Sequence, residues 1–357
     1  MTKRVAVALS GGVDSSVTAY LLKKQGYYVI GLYMYNWEKN ECIHNDIRDA
    51  MLISNKLKIP FYVLDFRKEY KNTVIKYMIN GYRKGITPNP DIICNKKIKF
   101  GYFLKTALKL NIDYIATGHY AIKKKNKYNN YSLLSGIDNY KDQSYFLCRI
   151  NQYQLSKSLF PLGYYTKSKV RDIALKLNFY NAKKKDSQGL CFLGKINLIK
   201  FLEKEIPNKK GDIIYVKLNN KKNKIGQHKG AYYYTIGQRK YLNISGQKYK
   251  LYIFKKNIKN NILYVARKSY KYLYKKKIFI KKETIHWIRN LLKNEKNNYK
   301  LKIKCKIRYN VHKEKAILIK KKMGVLVKFY NRQFAITPGQ FIVWYYKEEL
   351  IGSGIIN

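Results

Sequence analysis

The chain is poor in acids. Its 357 residues hold 21 Asp and Glu against 74 Lys and Arg, a formal net charge of +53. Such an excess should attract polyanions through salt-sensitive contacts and is permissive for nucleic acid. Lys, Asn, Ile and Tyr are abundant throughout, loops such as Lys123-Lys124-Lys125-Asn126-Lys127 included. A compositional bias gives the same excess, so the charge alone identifies no partner. No apolar run approaches 18 residues, so no membrane span and no membrane partner are expected. The start of the chain carries no basic-then-apolar leader, and a cytoplasmic location is the expectation. The five cysteines, Cys42, Cys94, Cys148, Cys191 and Cys305, include no Cys-x-x-Cys pair. A disulfide framework, a zinc ribbon and an iron–sulfur cluster are therefore not expected. Cys42-x-His44 would be half a metal site at most.

The first half alternates short apolar runs with helical patterns. Val5–Leu9, Tyr27–Tyr35, Phe61–Phe66 and 114–117 read as strands. Helices are expected from Ser15 or Ser16 to Gly26, and over Asp46–Leu57, Lys68–Asn80, Lys96–Leu110 and Thr166–Leu177. This order predicts an α/β domain with a doubly wound parallel sheet, whose ligands sit at the carboxyl ends of the strands. A β-ribbon is expected between Tyr120 and Ile137. From about residue 205 short alternating strands take over, with turn signals at Asn219-Asn220, Gly226, Gly237 and Asn260-Asn261. From about Ile278 longer alternating runs suggest an antiparallel β-barrel. The expected domains are 1–204 (parallel sheet), 205–277 (small, β-rich) and 278–357 (antiparallel β-barrel).

Three stretches carry chemistry. Leu9-Ser10-Gly11-Gly12-Val13-Asp14-Ser15-Ser16 follows the first strand directly. Backbone N–H groups at such a turn point one way, and the helix start adds partial positive charge, which suits a phosphate. No Lys follows the second glycine as in a Walker A loop. The stretch resembles the Ser-Gly-Gly-x-Asp-Ser loop of the ATP pyrophosphatases, which release pyrophosphate while adenylating a substrate. In Thr87-Pro88-Asn89-Pro90-Asp91 two prolines stiffen a loop. Asp91 and Cys94 are three apart, one helical turn, so a carboxylate can serve a thiol. Asp186-Ser187-Gln188-Gly189-Leu190-Cys191-Phe192 places a second cysteine in a polar loop. Two separated thiols suit persulfide chemistry, one bearing the sulfur and one resolving the bond.

These stretches resemble the tRNA-specific 2-thiouridylase family. So do Ile98-Lys99-Phe100, 116–120, 141–147, 228–231, 234–240, 307–309 and 337–340, in the family's order along nearly the whole chain. The resemblance implies that Ala8, Leu9, Ser10, Gly11, Gly12, Val13, Asp14, Ser15, Met34 and Gly118 hold ATP, with Mg²⁺ beside Asp14. Asn89, Pro90 and Asp91 would meet the target base, Asp91 as a candidate proton carrier. Cys94 would be the nucleophile and Cys191 the persulfide bearer, the two forming a transient disulfide. Lys141, Asp142, Gln143, Arg308 and Tyr309 would contact tRNA. The implied substrate is the wobble uridine (position 34) of tRNAs with Lys, Glu and Gln acceptors, adenylated and then thiolated at C2. The sulfur would come from a cysteine desulfurase or a sulfur-relay protein. The sequence departs from the family at Tyr241, where Gly is usual after Arg239-Lys240, and this puts the turn of the middle domain in question.

Plainer readings compete. Met34 fits a strand core, Lys141-Asp142-Gln143 a solvated helix start, and Arg308 and Tyr309 a strand surface. His119 fits a hydrogen-bonded strand end. Cys42, Cys148 and Cys305 fit structural thiols. Two other functions use the same scaffold: an adenylating ligase for a small molecule, and a non-catalytic RNA-binding protein.

Overall fold

The computed structural model describes residues 2–37, 43–126, 130–186, 198–242, 244 and 246–357. Strands β1 (Arg4–Ala8), β2 (Tyr28–Tyr35), β3 (Phe61–Asp65) and β4 (Tyr114–Ala116) alternate with helices. The hairpin β5 (Ala121–Lys125) and β6 (Tyr131–Ser135) follows, then β7 (Ser158–Leu159). The first sheet is parallel and runs β3-β2-β1-β4-β7. Strand β7 is a two-residue element that periodicity could not reveal. Alternation along β1 shows why both faces are covered. Val5 and Val7 pack with Val17, Leu21 and Ile53 on one side. Ala6 and Ala8 pack with Tyr70, Met78, Ile92 and Phe103 on the other. A strand buried on both faces reads as a continuous apolar run.

The chain leaves β1 toward β2 on one side and returns to β4 on the other, so the order reverses between β1 and β4. A crevice opens at such a switch point. The loops after β1 (Gly11-Gly12) and after β4 (Gly118-His119) flank it.

The middle sheet runs β10-β11-β8-β9, from β8 (Gly211–Val216), β9 (Lys222–His228), β10 (Leu251–Asn257) and β11 (Ile262–Arg267). Asn220 and Asn261 hold the left-handed turns expected of them. Gly226 instead lies within β9, where it makes no turn. Tyr241 keeps φ at +64°, so the turn adopts the left-handed form glycine suits and the tyrosine carries the steric cost.

The C-terminal sheet holds β12 (Tyr274–Lys281), β13 (His286–Trp287), β14 (Lys300–Lys306), β15 (Glu314–Lys321), β16 (Gly324–Phe334), β17 (Phe341–Tyr346) and β18 (Glu349–Ile355). The expected boundaries at 204/205 and 277/278 fall inside elements, helix Leu198–Glu205 and β12. The ribbon β5/β6 does more than connect. β6 pairs with β18, so a hairpin from the first domain extends the last sheet. The faces of β17 divide accordingly. Phe341, Val343 and Tyr345 join the core that contains Ile92 and Phe100. Ile342 and Trp344 fill the interior of the C-terminal sheet with Leu318 and Val327.

Candidate functional site

The glycine loop is built for close approach. Gly11 has φ +71°, and a Cβ there would lie 2.4 Å from the Asp46 carbonyl oxygen. Gly12 caps helix α1 (Val13–Lys24) without any side-chain hydrogen bond. This corrects the expectation of a serine cap. Ser15 and Ser16 sit inside the first turn and donate back to the Gly12 carbonyl, both at 3.0 Å. The Ser15 hydroxyl also accepts from the Ser10 N–H at 3.2 Å, which folds the loop over. The first N–H groups of a helix lack intrahelical partners, and no cap side chain covers these. Across the crevice, a Cβ on Gly118 would lie 2.9 Å from Asp14 Cβ and 3.1 Å from the Ser15 nitrogen. Gly118 thus presses its backbone against the start of α1, while Gly11 presses against Asp46 in the next helix, Ile43–Leu57. Met34 stands near the end of β2, partly buried against the same core.

Charged groups surround this start. Asp14 Oδ1 accepts from Tyr120 Oη at 2.8 Å and from Lys167 Nζ at 2.7 Å. Lys167 also reaches Asp186 Oδ1 at 2.8 Å, and Lys141 and Arg171 reach Asp186 at 2.6 and 2.8 Å. Burial pushes the Asp186 carboxyl up, but hydrogen bonds and charge from Lys141 and Lys167 outweigh it and hold the group at about 2. Asn181 donates to the Gly11 carbonyl at 3.0 Å, and Lys184 pairs with Asp46 and Asp49 at 2.7 and 2.6 Å. Lys167, Asn181 and Lys184 were not singled out from sequence, and Tyr120 only as part of the stretch 116–120, without a role. Nothing in the spacing of a lysine one residue past the cap Thr166 announces a partner 153 positions earlier.

The stiff loop behaves as its composition predicts. Asn89 Oδ1 accepts from the Ile92 N–H at 3.2 Å and caps the helix Pro90–Cys94, with Pro90 in its first turn. Asp91 is half-buried. Cys94 is 4% exposed and belongs to the core cluster with Ile92 and Phe103. Helical winding turns the thiol inward from the polar loop that precedes it. After Cys94 the helix widens into π turns over Asn95–Phe103, where the Gln154 amide donates to the Lys96 and Phe100 carbonyls at 3.4 and 2.6 Å. Cys191 and residues 187–192, like Cys42, lie outside the described residues.

The residues expected at RNA are built into the frame. Lys141 pairs with Asp186. Asp142 is buried and accepts from the Gly136 and Ser144 N–H groups at 3.3 and 3.0 Å. Gln143 Oε1 accepts from the Tyr120 N–H at 3.2 Å. This is a bonded turn rather than a solvated helix start. Arg308 and Tyr309 follow the end of β14. Arg308 donates to the Phe334 and Ala335 carbonyls at 2.9 and 2.8 Å, and Tyr309 packs on Phe146 with ring centroids 4.4 Å apart. His119 is buried, and its Nδ1 lies 2.7 Å from Thr117 Oγ1; burial, then the charge of Lys99, drive its pKa well down, so the ring is neutral. Cys148 and Cys305 are buried thiols pushed up by desolvation, Cys148 to about 12, and are inert.

The three domains meet at Thr87. Its N–H donates to the Pro338 carbonyl at 2.9 Å, its carbonyl accepts from Gln340 Nε2 at 2.9 Å, and its hydroxyl lies 3.0 Å from that of Thr235. Among the described residues no group of three or more His, Cys, Asp or Glu side chains forms a metal cluster. No helix among them is long and apolar enough to cross a membrane.

Comparison with known proteins agrees along the whole chain. Residues 3–195 match the family model described as a tRNA methyl transferase HUP domain. Residues 199–267 match a tRNA methyl transferase PRC-barrel domain, and 277–356 an aminomethyltransferase beta-barrel domain. The tRNA-specific 2-thiouridylase MnmA of Karelsulcia muelleri is 50% identical over 99% of this chain and 99% of its own length. That of Flavobacterium johnsoniae is 43% identical over 99% and 100%. That of Mycoplasma mycoides is 44% identical over 100% and 99%. The chain belongs to the MnmA family of tRNA-specific 2-thiouridylases.

Proposed function

We propose that this protein converts C2 of the wobble uridine of tRNA to a thione at the expense of ATP. One observation carries the reading: at the switch point of the parallel sheet, Gly11 and Gly118 leave no room for a side chain beside a helix start edged by Lys167, Lys184 and Arg171. That is a cradle for a triphosphate. The tRNA part of the reading rests on kinship with relatives named for it.

A uracil C2 oxygen is a poor leaving group. Attack of O2 on the α-phosphorus expels pyrophosphate and makes AMP the leaving group. The loop Ala8–Ser15 would hold the phosphates, with Met34 and Gly118 beside the nucleoside. The terminal sulfur of a Cys191 persulfide then bonds to C2 and displaces AMP. The Cys94 thiolate attacks Cys191 Sγ, the S–S bond breaks, and its electron pair stays on the sulfur at C2. The Cys94–Cys191 disulfide left behind is reduced by an external thiol before the next cycle. Asp91, one helical turn before Cys94, would take the thiol proton. Asn89 and Pro90 would support the base once it leaves its stack. Lys141, Asp142, Gln143, Arg308 and Tyr309 would shape the RNA side of the site.

Mg²⁺ is held through one or two carboxylates plus substrate phosphates. Asp14 supplies one such carboxylate and here engages Lys167 and Tyr120. The donor set fits a metal that arrives with the triphosphate, supplying charge neutralisation there. The persulfide sulfur would come from a cysteine desulfurase or a relay protein, and the tRNAs would be the Lys, Glu and Gln acceptors, all in the cytoplasm.

The test is 2-thiouridine formation from tRNA, ATP and a sulfur donor, read by mass spectrometry of nucleosides. Product should require all three and vanish in Cys191→Ser. Undiminished product in that variant removes the persulfide role, and pyrophosphate release without tRNA favours a small-molecule ligase.

A further inference from the structure

A cavity of about 340 Å³ opens where the three domains meet. Its walls come from residues 84–87 of the first domain, 236, 254–256 and 258 of the middle domain, and 272, 273, 275 and 335–338 around the last sheet. Four lysines line it: Lys84, Lys255, Lys256 and Lys275. No Asp or Glu is among the lining residues, and none of the four lysines is ion-paired among the described residues. Lys256 donates to the Tyr234 carbonyl. The rest of the wall is largely apolar and includes the aromatic side chains of Phe254 and Tyr272. The cavity shares no lining residue with the glycine loop.

A cavity lined by lysines and by no carboxylate favours an anion. A bare phosphate would meet the lysines and leave the apolar walls uncovered. A flat apolar body carrying a phosphate satisfies both. The volume suits one drug-sized ligand, and domain junctions are common places for such sites. Aromatic faces stack on any nucleobase, because every base has a π-face.

We infer that this cavity is a second nucleotide site, taking one nucleoside phosphate with its base against Phe254 and Tyr272 and its phosphate among the lysines. The ligand would brace the loop that starts at Thr87, two residues before Asn89, and so tune the presentation of Asn89, Pro90 and Asp91. Two sources supply this chemistry: a free nucleotide such as AMP, or one nucleotide of an RNA strand. The RNA source rests on the proposed function. The free nucleotide does not.

The experiment compares the wild type with Lys256→Met/Lys275→Ala. A control, Lys221→Ala/Lys222→Ala, removes the same charge from an exposed hairpin. Equilibrium dialysis counts bound AMP, and filter binding at fixed salt measures tRNA affinity. Two AMP per chain in the wild type and one in the cavity variant assign the site to free nucleotide. One AMP in both, with tRNA affinity reduced roughly tenfold in the cavity variant and not in the control, assigns it to RNA. Unchanged AMP stoichiometry together with a tRNA affinity equal to the control's overturns the inference. If Lys256→Met does not fold, Lys255→Ala/Lys275→Ala probes the rim alone with the same readouts. A wild type that makes no thiouridine would remove the proposed function and leave the AMP count as a separate result.

Discussion

Two cation-rich regions of this molecule are organised in opposite ways. At the glycine loop, Lys141, Lys167 and Arg171 converge on Asp186, and Lys167 is shared with Asp14. At the domain junction, Lys84, Lys255, Lys256 and Lys275 share a cavity with no carboxylate in its lining. The first region is a set of side chains fixed in place by opposite charge, which favours positioning. The second is a set of charges left uncompensated, which favours capture of an anion. In a chain with so large a basic excess, the few acids mark where positions are held, so their distribution says more than the number of lysines.

The contrast can be broken most severely at the glycine loop itself. Gly11→Ala should lower AMP release by about two orders of magnitude, since a displacement near 1 Å at a reacting centre costs that much. The cause is a Cβ placed 2.4 Å from the Asp46 carbonyl oxygen on a left-handed backbone. A rate within a few-fold of wild type, with a normal melting curve, would show that the backbone relaxes without cost.

Asp186→Asn should make the first region resemble the second. It leaves three cations facing each other, and unfolding in urea at low salt should show a loss of about 1 kcal/mol that shrinks at high salt. The same ion pairs predict a pH window. Asp186 is held at about 2, below its ordinary value, so its contribution is present above roughly pH 4 and is lost as pH falls toward 2. Acid titration of wild type and Asp186→Asn should therefore converge at the low end.

The junction is sharpened by a smaller effect. Burial lowers Lys256 to about 8, and Lys84, Lys255, Lys275 and Tyr272 line the same cavity. AMP binding there should weaken several-fold as pH rises from 7 to 9, and Lys256→Met should remove that step. Folding stability runs the other way. Between about 8 and the ordinary lysine value near 10.4 the unfolded chain binds the extra proton, so stability rises with pH in that window. Smallest of all, Tyr241→Gly should raise stability by up to about 1 kcal/mol by relieving a left-handed aromatic residue. A loss of stability would mean the exposed ring makes contacts that outweigh its strain.

Much of the frame was legible from residue order. The run Val5–Leu9 ending in two glycines announces a buried strand and an anion loop, and Asn89-Pro90 announces a capped helix start. Both depend on neighbours in sequence. The ion pairs of Lys167 with Asp14 and of Lys184 with Asp46 and Asp49 were not legible, because they join positions separated by well over a hundred residues on surfaces where lysine is everywhere. The serines at 15 and 16 looked like caps because serine favours that place, yet the turn is closed through the Gly12 carbonyl instead. The run Phe341–Tyr346 shows that both sides of a strand are covered. It does not say that one cover is the first domain, which the packing of Phe341, Val343 and Tyr345 on Ile92 and Phe100 and the pairing of β6 with β18 reveal.

That pairing has a consequence for synthesis on the ribosome. The hairpin 121–135 emerges roughly two hundred residues before its partner strand 349–355, which at about 5–20 residues per second is a wait of tens of seconds or so. Until strand 349–355 has been made, one rim of the hairpin stays open to other chains. A product that stops before residue 349 would be released with that rim uncovered, exposed to proteases and chaperones, and only a polypeptide that includes strand 349–355 can close it.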